Sequence, residues 1–73
     1  MDGYTREIIE HIAILSDDGH GKTKELNMVS ENGEPPVLDL RRWYKRQFAI
    51  YGGITLTDEE AVNLLVALER IKG

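Results

Sequence analysis

The sequence predicts an α+β domain: a curved, four-stranded antiparallel sheet followed by one C-terminal helix, through which the chain dimerises. Three observations carry that expectation. Thr57-Asp58-Glu59-Glu60 opens the best-defined helix in the chain, over residues 61–71. Asn32-Gly33 is the commonest dipeptide of a tight hairpin, because both central positions of a type I′ turn need positive φ. Gly52-Gly53 delivers a short alternating run, Ile54-Thr55-Leu56, directly onto the helix.

Residues 5–16 read two ways. Ile8, Ile12 and Leu15 fit a helical stripe, while Ile8, Ile12 and Ile14 fit one face of a strand. Four isoleucines in this segment favour the strand, because branching at Cβ suits a pleat better than a helix, but pattern alone gives it only a slight lead. Asp17-Asp18-Gly19-His20-Gly21 is a turn by composition. Lys22–Glu31 follows as a strand, with Leu26, Met28 and Val29 among polar neighbours. Pro35 and Pro36 end regular pairing after the Asn32-Gly33 turn and delay the next strand to Val37. In Val37–Tyr44, alternation puts Leu38 and Leu40 on one face and Asp39, Arg41 and Trp43 on the other. With the helix against the Leu38/Leu40 face, Arg41 and Trp43 point outward. Residues 45–51 read as a loop or irregular crossover.

The helix has the clearest start signal. Thr57 stands at the N-cap with Glu60 three residues later, so that each side chain can take the other's backbone N–H, and three carboxylates sit at the positive end of the dipole. Ala61, Leu64, Leu65, Leu68 and Ile71 make the core stripe, but Val62, Val66 and Ala67 widen it beyond the arc that one small sheet can cover. A second copy of the chain is the expected partner, with Val62, Leu65, Val66 and Glu69 as the dimer contacts.

Seventy-three residues fit one domain, 1–73. Domains this small commonly rely on disulfides, metals or oligomerisation. There is no cysteine, and His11 and His20 are the only histidines, so oligomerisation is the expected support and no metal or other cofactor is expected. No apolar run approaches the roughly 20 residues of a membrane span, and the N-terminus lacks the basic start and apolar core of a signal peptide. These features predict a soluble cytoplasmic protein without a membrane partner. The net charge of −4 is unevenly spread. Residues 1–19 hold five carboxylates against Arg6, and residues 58–73 hold four against Arg70 and Lys72. The middle holds Lys22, Lys24, Arg41, Arg42, Lys45 and Arg46 against four carboxylates. A basic centre in an acidic shell is what a local anion-binding face needs, although charge alone favours a mixed, solvated surface.

Residues 16–23 end like a phosphate-binding loop, Gly21-Lys22-Thr23, but Ser16 replaces the first glycine and a strand follows where a helix is required. A hairpin tip is the stronger reading. His11 reads as a half-buried strand residue and His20 as an exposed turn residue. Ser16 and Ser30 have no visible base, so nothing supports nucleophilic catalysis and the chain does not read as an enzyme. The constellation with functional content is Arg41-Arg42-Trp43-Tyr44-Lys45-Arg46 with Lys22 and Lys24. An outward tryptophan among cations suits base stacking beside phosphate pairing. The alternative, in which Trp43 closes the sheet edge and Arg41 stacks on it for structural reasons, weighs the same on these residues alone.

Leu38-Asp39-Leu40-Arg41 followed by aromatics, then Gly53-Ile54-Thr55-Leu56-Thr57 and an acidic helix start, resembles the single-stranded-DNA-binding domain of the eukaryotic positive transcriptional coactivator. The chain is more similar still to the bacterial YdbC-like relatives of that domain, with Glu7-Ile8-Ile9-Glu10, Lys24-Glu25-Leu26-Asn27 and Val29-Ser30 at matching spacing. The resemblance covers residues 6–71. It implies a strand for residues 6–15, a homodimer joined by its helices, and grooves that bind single-stranded DNA or RNA with little sequence preference, in transcription or DNA maintenance. Single-stranded nucleic acid, a second copy and the transcription machinery are the partners it implies, in the cytoplasm or at the nucleoid. It assigns Arg41 to the nucleic acid backbone, Trp43 and Tyr44 to the stacking region, and Lys22 and Lys24 to a basic second strand. Lys45, Arg46 and Arg42 complete the candidate interface. The chain departs from the family at Asn32, where an aromatic is usual, at Glu31 and Gly33, where neighbours are basic, and at Gly52, where a lysine is usual. Phe48 and Tyr51 are the aromatics available as replacement stacking surface. Fewer phosphate partners imply weaker, more salt-sensitive binding. The rival expectation is a dimeric protein-interaction module that no longer binds nucleic acid.

Overall fold

The computed structural model describes residues 5–72; residues 1–4, which open the segment read above as lacking a signal peptide, and residue 73 lie outside them. Five strands and a helix follow in order: β1 (Arg6–Asp17), β2 (Lys22–Glu31), β3 (Val37–Tyr44), β4 (Phe48–Ala49), β5 (Ile54–Leu56) and α1 (Asp58–Lys72). The sheet is antiparallel in the order β1-β2-β3-β4, and β5 pairs with β3 beyond β4. β4 and β5 are thus two parts of one fourth strand, interrupted by residues 50–53. The architecture is the α+β arrangement that the sequence predicts, and residues 6–17 are a strand.

The turns show how local sequence sets this path. Asn32 and Gly33 both have positive φ (53° and 76°), and Glu34 N–H donates to Glu31 C=O at 3.0 Å. The Asn32 side chain also fastens the start of β1, accepting from Thr5 N–H at 2.9 Å. In the first turn, the Asp18 carboxylate accepts from the His20 and Lys22 amides at 2.7 and 3.1 Å. Those backbone hydrogen bonds hold its carboxyl below the ordinary value. Amides that a phosphate-binding loop would turn toward an anion are here taken by the turn's own side chain.

Residues 45–51 are more ordered than a loop. Gln47 N–H donates to Tyr44 C=O at 3.1 Å, closing a turn in which Lys45 and Arg46 both have positive φ (52° and 55°), and β4 returns along β3. Ile50 N–H continues that pairing to Arg42 C=O at 2.9 Å.

The helix begins as its cap dictates. Thr57 N–H donates to Glu60 Oε1 at 2.8 Å, and Glu60 N–H donates to Thr57 Oγ1 at 3.1 Å. Its packing differs from the expectation of a helix laid against one sheet face. α1 meets the sheet chiefly at β5, and none of its residues is buried. Val62, Leu65 and Val66 stay about half exposed, and Glu69 is exposed. No helix of the described residues is long and apolar enough to cross a membrane.

The buried face is the one expected to face out. Thr23, Glu25, Asn27 and Val29 on β2 and Asp39, Arg41 and Trp43 on β3 are all buried, whereas Leu26, Met28, Leu38 and Leu40 on the opposite face are only partly covered. Arg46, beyond the end of β3, turns back over this face and reaches His11 on β1, with Nη2 and Nδ1 3.2 Å apart.

Candidate nucleic-acid interface

Register divides the proposed site residues between two faces. Lys22 pairs with Tyr44 and Lys24 with Arg42, while Thr23 pairs with Trp43 and Glu25 with Arg41. Residues directly opposite share a face, and every second residue returns to it. Lys22, Lys24, Arg42 and Tyr44 therefore lie on the outer face, joined by Phe48, which pairs with Tyr44. Arg41 and Trp43 lie on the inner one.

On the outer face the groups are accessible. Lys22, Lys24 and Arg42 are exposed, as are Tyr44, Phe48 and Tyr51, the last almost completely at 97%. Lys45 Nζ sits 5.4 Å from the centroid of the Tyr44 ring. Tyr51, Lys24 and Arg42 line an open cleft of about 310 Å³ with Leu40, Gly52 and Ile54, and Arg41 reaches its wall from the other side of β3. Cations and aromatic faces thus alternate over a few strand spacings, an arrangement that can hold phosphates and stack bases at once.

The inner face is internally satisfied. Arg41 Nε donates to Asp39 Oδ2 at 2.9 Å and Nη2 to Oδ1 at 2.9 Å, and Asp39 is fully buried. This pairing corrects the expectation for Arg41: its guanidinium is consumed by a carboxylate two residues away on the same strand face. Gly53 makes room for it, since a Cβ there would collide with Arg41 Cβ and lie 2.6 Å from Cζ. Trp43 is likewise corrected from an exposed platform to an interior side chain, 4% exposed.

Arg46 is half-way between the two roles. Its Nε donates to Glu25 Oε2 at 2.9 Å, and the Glu25 carboxylate also accepts from Thr23 Oγ1 at 2.7 Å and Asn27 Nδ2 at 3.2 Å. Burial pushes the Glu25 carboxyl up, but the hydrogen bonds from Arg46, Thr23 and Asn27 and the Arg46 charge outweigh it and hold the group below its ordinary value. Asn27 Oδ1 and Trp43 Nε1 are buried without a hydrogen-bond partner.

The expected outward orientation of Arg41 and Trp43 is therefore reversed. Lys22, Lys24, Arg42, Tyr44 and Lys45 come together on the open side; Arg41 and Trp43 do not; Arg46 closes the inner face. Phe48 and Tyr51, read in the sequence as available replacement stacking surface, are exposed with them.

No family model matches the chain. An uncharacterized protein of Treponema pallidum (strain Nichols) is 35% identical over 63 residues, which span 86% of this chain and 74% of that protein. The chain belongs to the same family as that protein.

Proposed function

We propose that this chain is a non-enzymatic, sequence-nonspecific binder of single-stranded DNA or RNA that works as a homodimer. One observation carries the reading: the register that puts Lys22 opposite Tyr44 and Lys24 opposite Arg42 leaves both cations and aromatics exposed on one face. Lys22, Lys24, Arg42 and Lys45 pair with phosphates, and Tyr44, Phe48 and Tyr51 stack on bases, each stack contributing about 1–3 kcal/mol. Its place is in transcription or DNA maintenance, in the cytoplasm or at the nucleoid.

Support for the dimer comes from what the single chain leaves uncovered. Val29 and Trp43 are the buried hydrophobic residues among those described, while Val62, Leu64, Leu65, Val66, Leu68 and Ile71 of α1 are all exposed. A soluble monomer rarely leaves so continuous an apolar surface open. The partner's α1 and the half-covered Leu26, Met28, Leu38 and Leu40 are its natural cover.

Anisotropy of labelled oligo(dT), with matching duplex as control and size by light scattering, tests the reading. Binding is expected for the single strand, falling as salt rises, and Tyr44→Ala should weaken it without changing the mass of the dimer. Absent or salt-insensitive binding by a dimer would favour the protein-interaction module instead. The neutralisation of Arg41 by Asp39 and of Arg46 by Glu25 is the observation on that side.

A further inference from the structure

β1 is an edge of the sheet, and it carries more residues than β2 can pair. Its register slips three times, between Ile8 and Glu10, between His11 and Ala13, and between Ile14 and Ser16. The residues passed over are Ile9, Ile12 and Leu15. Each slip makes three residues of β1 advance two on β2, which returns the pattern to the same face: Ile8, His11 and Ile14 stand opposite Val29, Asn27 and Glu25. The three passed-over residues therefore occupy equivalent places and form one row. They are 51%, 45% and 55% exposed. Glu7, Glu10, Asp17 and Asp18 around them are exposed too, while Arg6 is engaged by Glu31 at 2.8 Å.

We infer that this row is a docking surface for a cationic amphipathic helix of another protein. Bulges interrupt the ladder that an added strand would need, so an occupant must be read through its side chains and not through its backbone. Each step of the row matches two residues of β2, roughly 7 Å at about 3.4 Å each. One turn of helix spans nearly the same length, about 6 Å for four residues. Apolar side chains four apart on a helix therefore meet successive members of the row. Charge selects the partner. α1 of a second copy would bring Asp58, Glu59 and Glu60 against the carboxylates of β1, whereas lysines or arginines flanking an apolar stripe complement them.

The probe is a synthetic peptide of about 18 residues with leucine at three successive positions four apart and lysine beside them. Its controls are a scramble of equal composition and a version with glutamate for lysine. Binding of the labelled peptide to the full chain should be at least about tenfold tighter than either control, a gap well within what a few interface side chains can supply. Ile12→Thr should lose about tenfold while leaving the dimer and oligo(dT) binding unchanged. Glu7→Gln with Glu10→Gln, which keeps every apolar group, should weaken the peptide and flatten its salt dependence. Equal binding of the scramble overturns the inference, as does loss of the dimer in Ile12→Thr, which would assign the row to the self-interface. Should Ile12→Thr fail to fold, the glutamine pair decides: unchanged affinity overturns it. Oligo(dT) binding is read separately, so failure here is distinct from failure of the nucleic-acid reading.

Discussion

Arg41 and Arg42 are neighbours in sequence with opposite fates in the fold, and replacing each in turn tests the face assignment. Arg41→Gln strands the Asp39 carboxylate, which is fully buried and receives two guanidinium nitrogens within 2.9 Å. Removing one partner of such a pair costs about 3–5 kcal/mol, because the remaining charge has neither water nor a counter-ion. Arg42→Gln acts at an exposed position with no carboxylate partner among the described residues and should change stability by less than about 0.5 kcal/mol. Binding should show the reverse order. Loss of one phosphate contact lowers the slope of log K against log salt by about 0.7 for a single strand. Arg42→Gln should show that change, while Arg41→Gln, assayed well below its unfolding midpoint, should keep the parent slope. Urea unfolding at fixed protein concentration and oligo(dT) titrations at several salt concentrations supply both numbers. If Arg41→Gln is as stable as the parent and loses the salt slope, Arg41 is the phosphate contact and the inner-face assignment is wrong.

Three further outcomes follow from the same geometry. Gly53→Ala should destabilise by about 1–3 kcal/mol in urea unfolding, because the added methyl meets Arg41 Cβ and cannot be relieved by a flexible side-chain end. That exceeds the roughly 0.4–1 kcal/mol by which the substitution restricts the unfolded chain, so a net gain in stability would refute the contact. Thr57→Ala removes the hydroxyl that accepts from Glu60 N–H and should cost about 1 kcal/mol by the same assay. Glu25 sets an acid limit: its folded carboxyl lies below the ordinary 4.5, so the stability it contributes is complete above that pH and is lost as pH falls through the lower folded value. Thermal unfolding of Glu25→Gln should therefore depend less on pH than the parent in this acid range; equal dependence would place the acid sensitivity elsewhere.

The parts legible in the sequence are those fixed by neighbours along the chain. Thr57 and Glu60 cap each other, and Asn32-Gly33 turns, through contacts within four residues. The Lys45-Arg46 turn carries no such signature. Two long side chains at positive φ are unfavourable alone, and tertiary contacts hold them: Lys45 N–H donates to Gly21 C=O at 2.6 Å, and Arg46 reaches Glu25. The ambiguity of residues 5–16 also has a physical source. Three bulges stretch the strand repeat from two residues toward three, part of the way to the helical 3.6, so Ile8, Ile12 and Leu15 mimic a helix stripe. The face of β3 was misread because hydrophobicity points the wrong way there. Leu38 and Leu40 are half-covered, while the polar Asp39 and Arg41 are buried.

Inversion of the faces reconciles an acidic protein with a cationic surface. Glu25 and Asp39 are buried on the inner face, and each carboxylate takes one arginine with it, Arg46 and Arg41. Two anions are thereby removed from the middle of the chain at the cost of two cations. The charges left on the outer face of the β2–β3 pair are Lys22, Lys24 and Arg42, with Lys45 at the turn. Carboxylates that set the net charge of −4 are carried largely by β1 and its turn and by the start of α1. In solution at physiological ionic strength, charges farther apart than about 8 Å are largely screened from each other. A phosphate approaching Lys24 and Arg42 therefore responds to those two groups more than to the total. Net charge is a poor guide to what this face can hold; the parity of the register decides it.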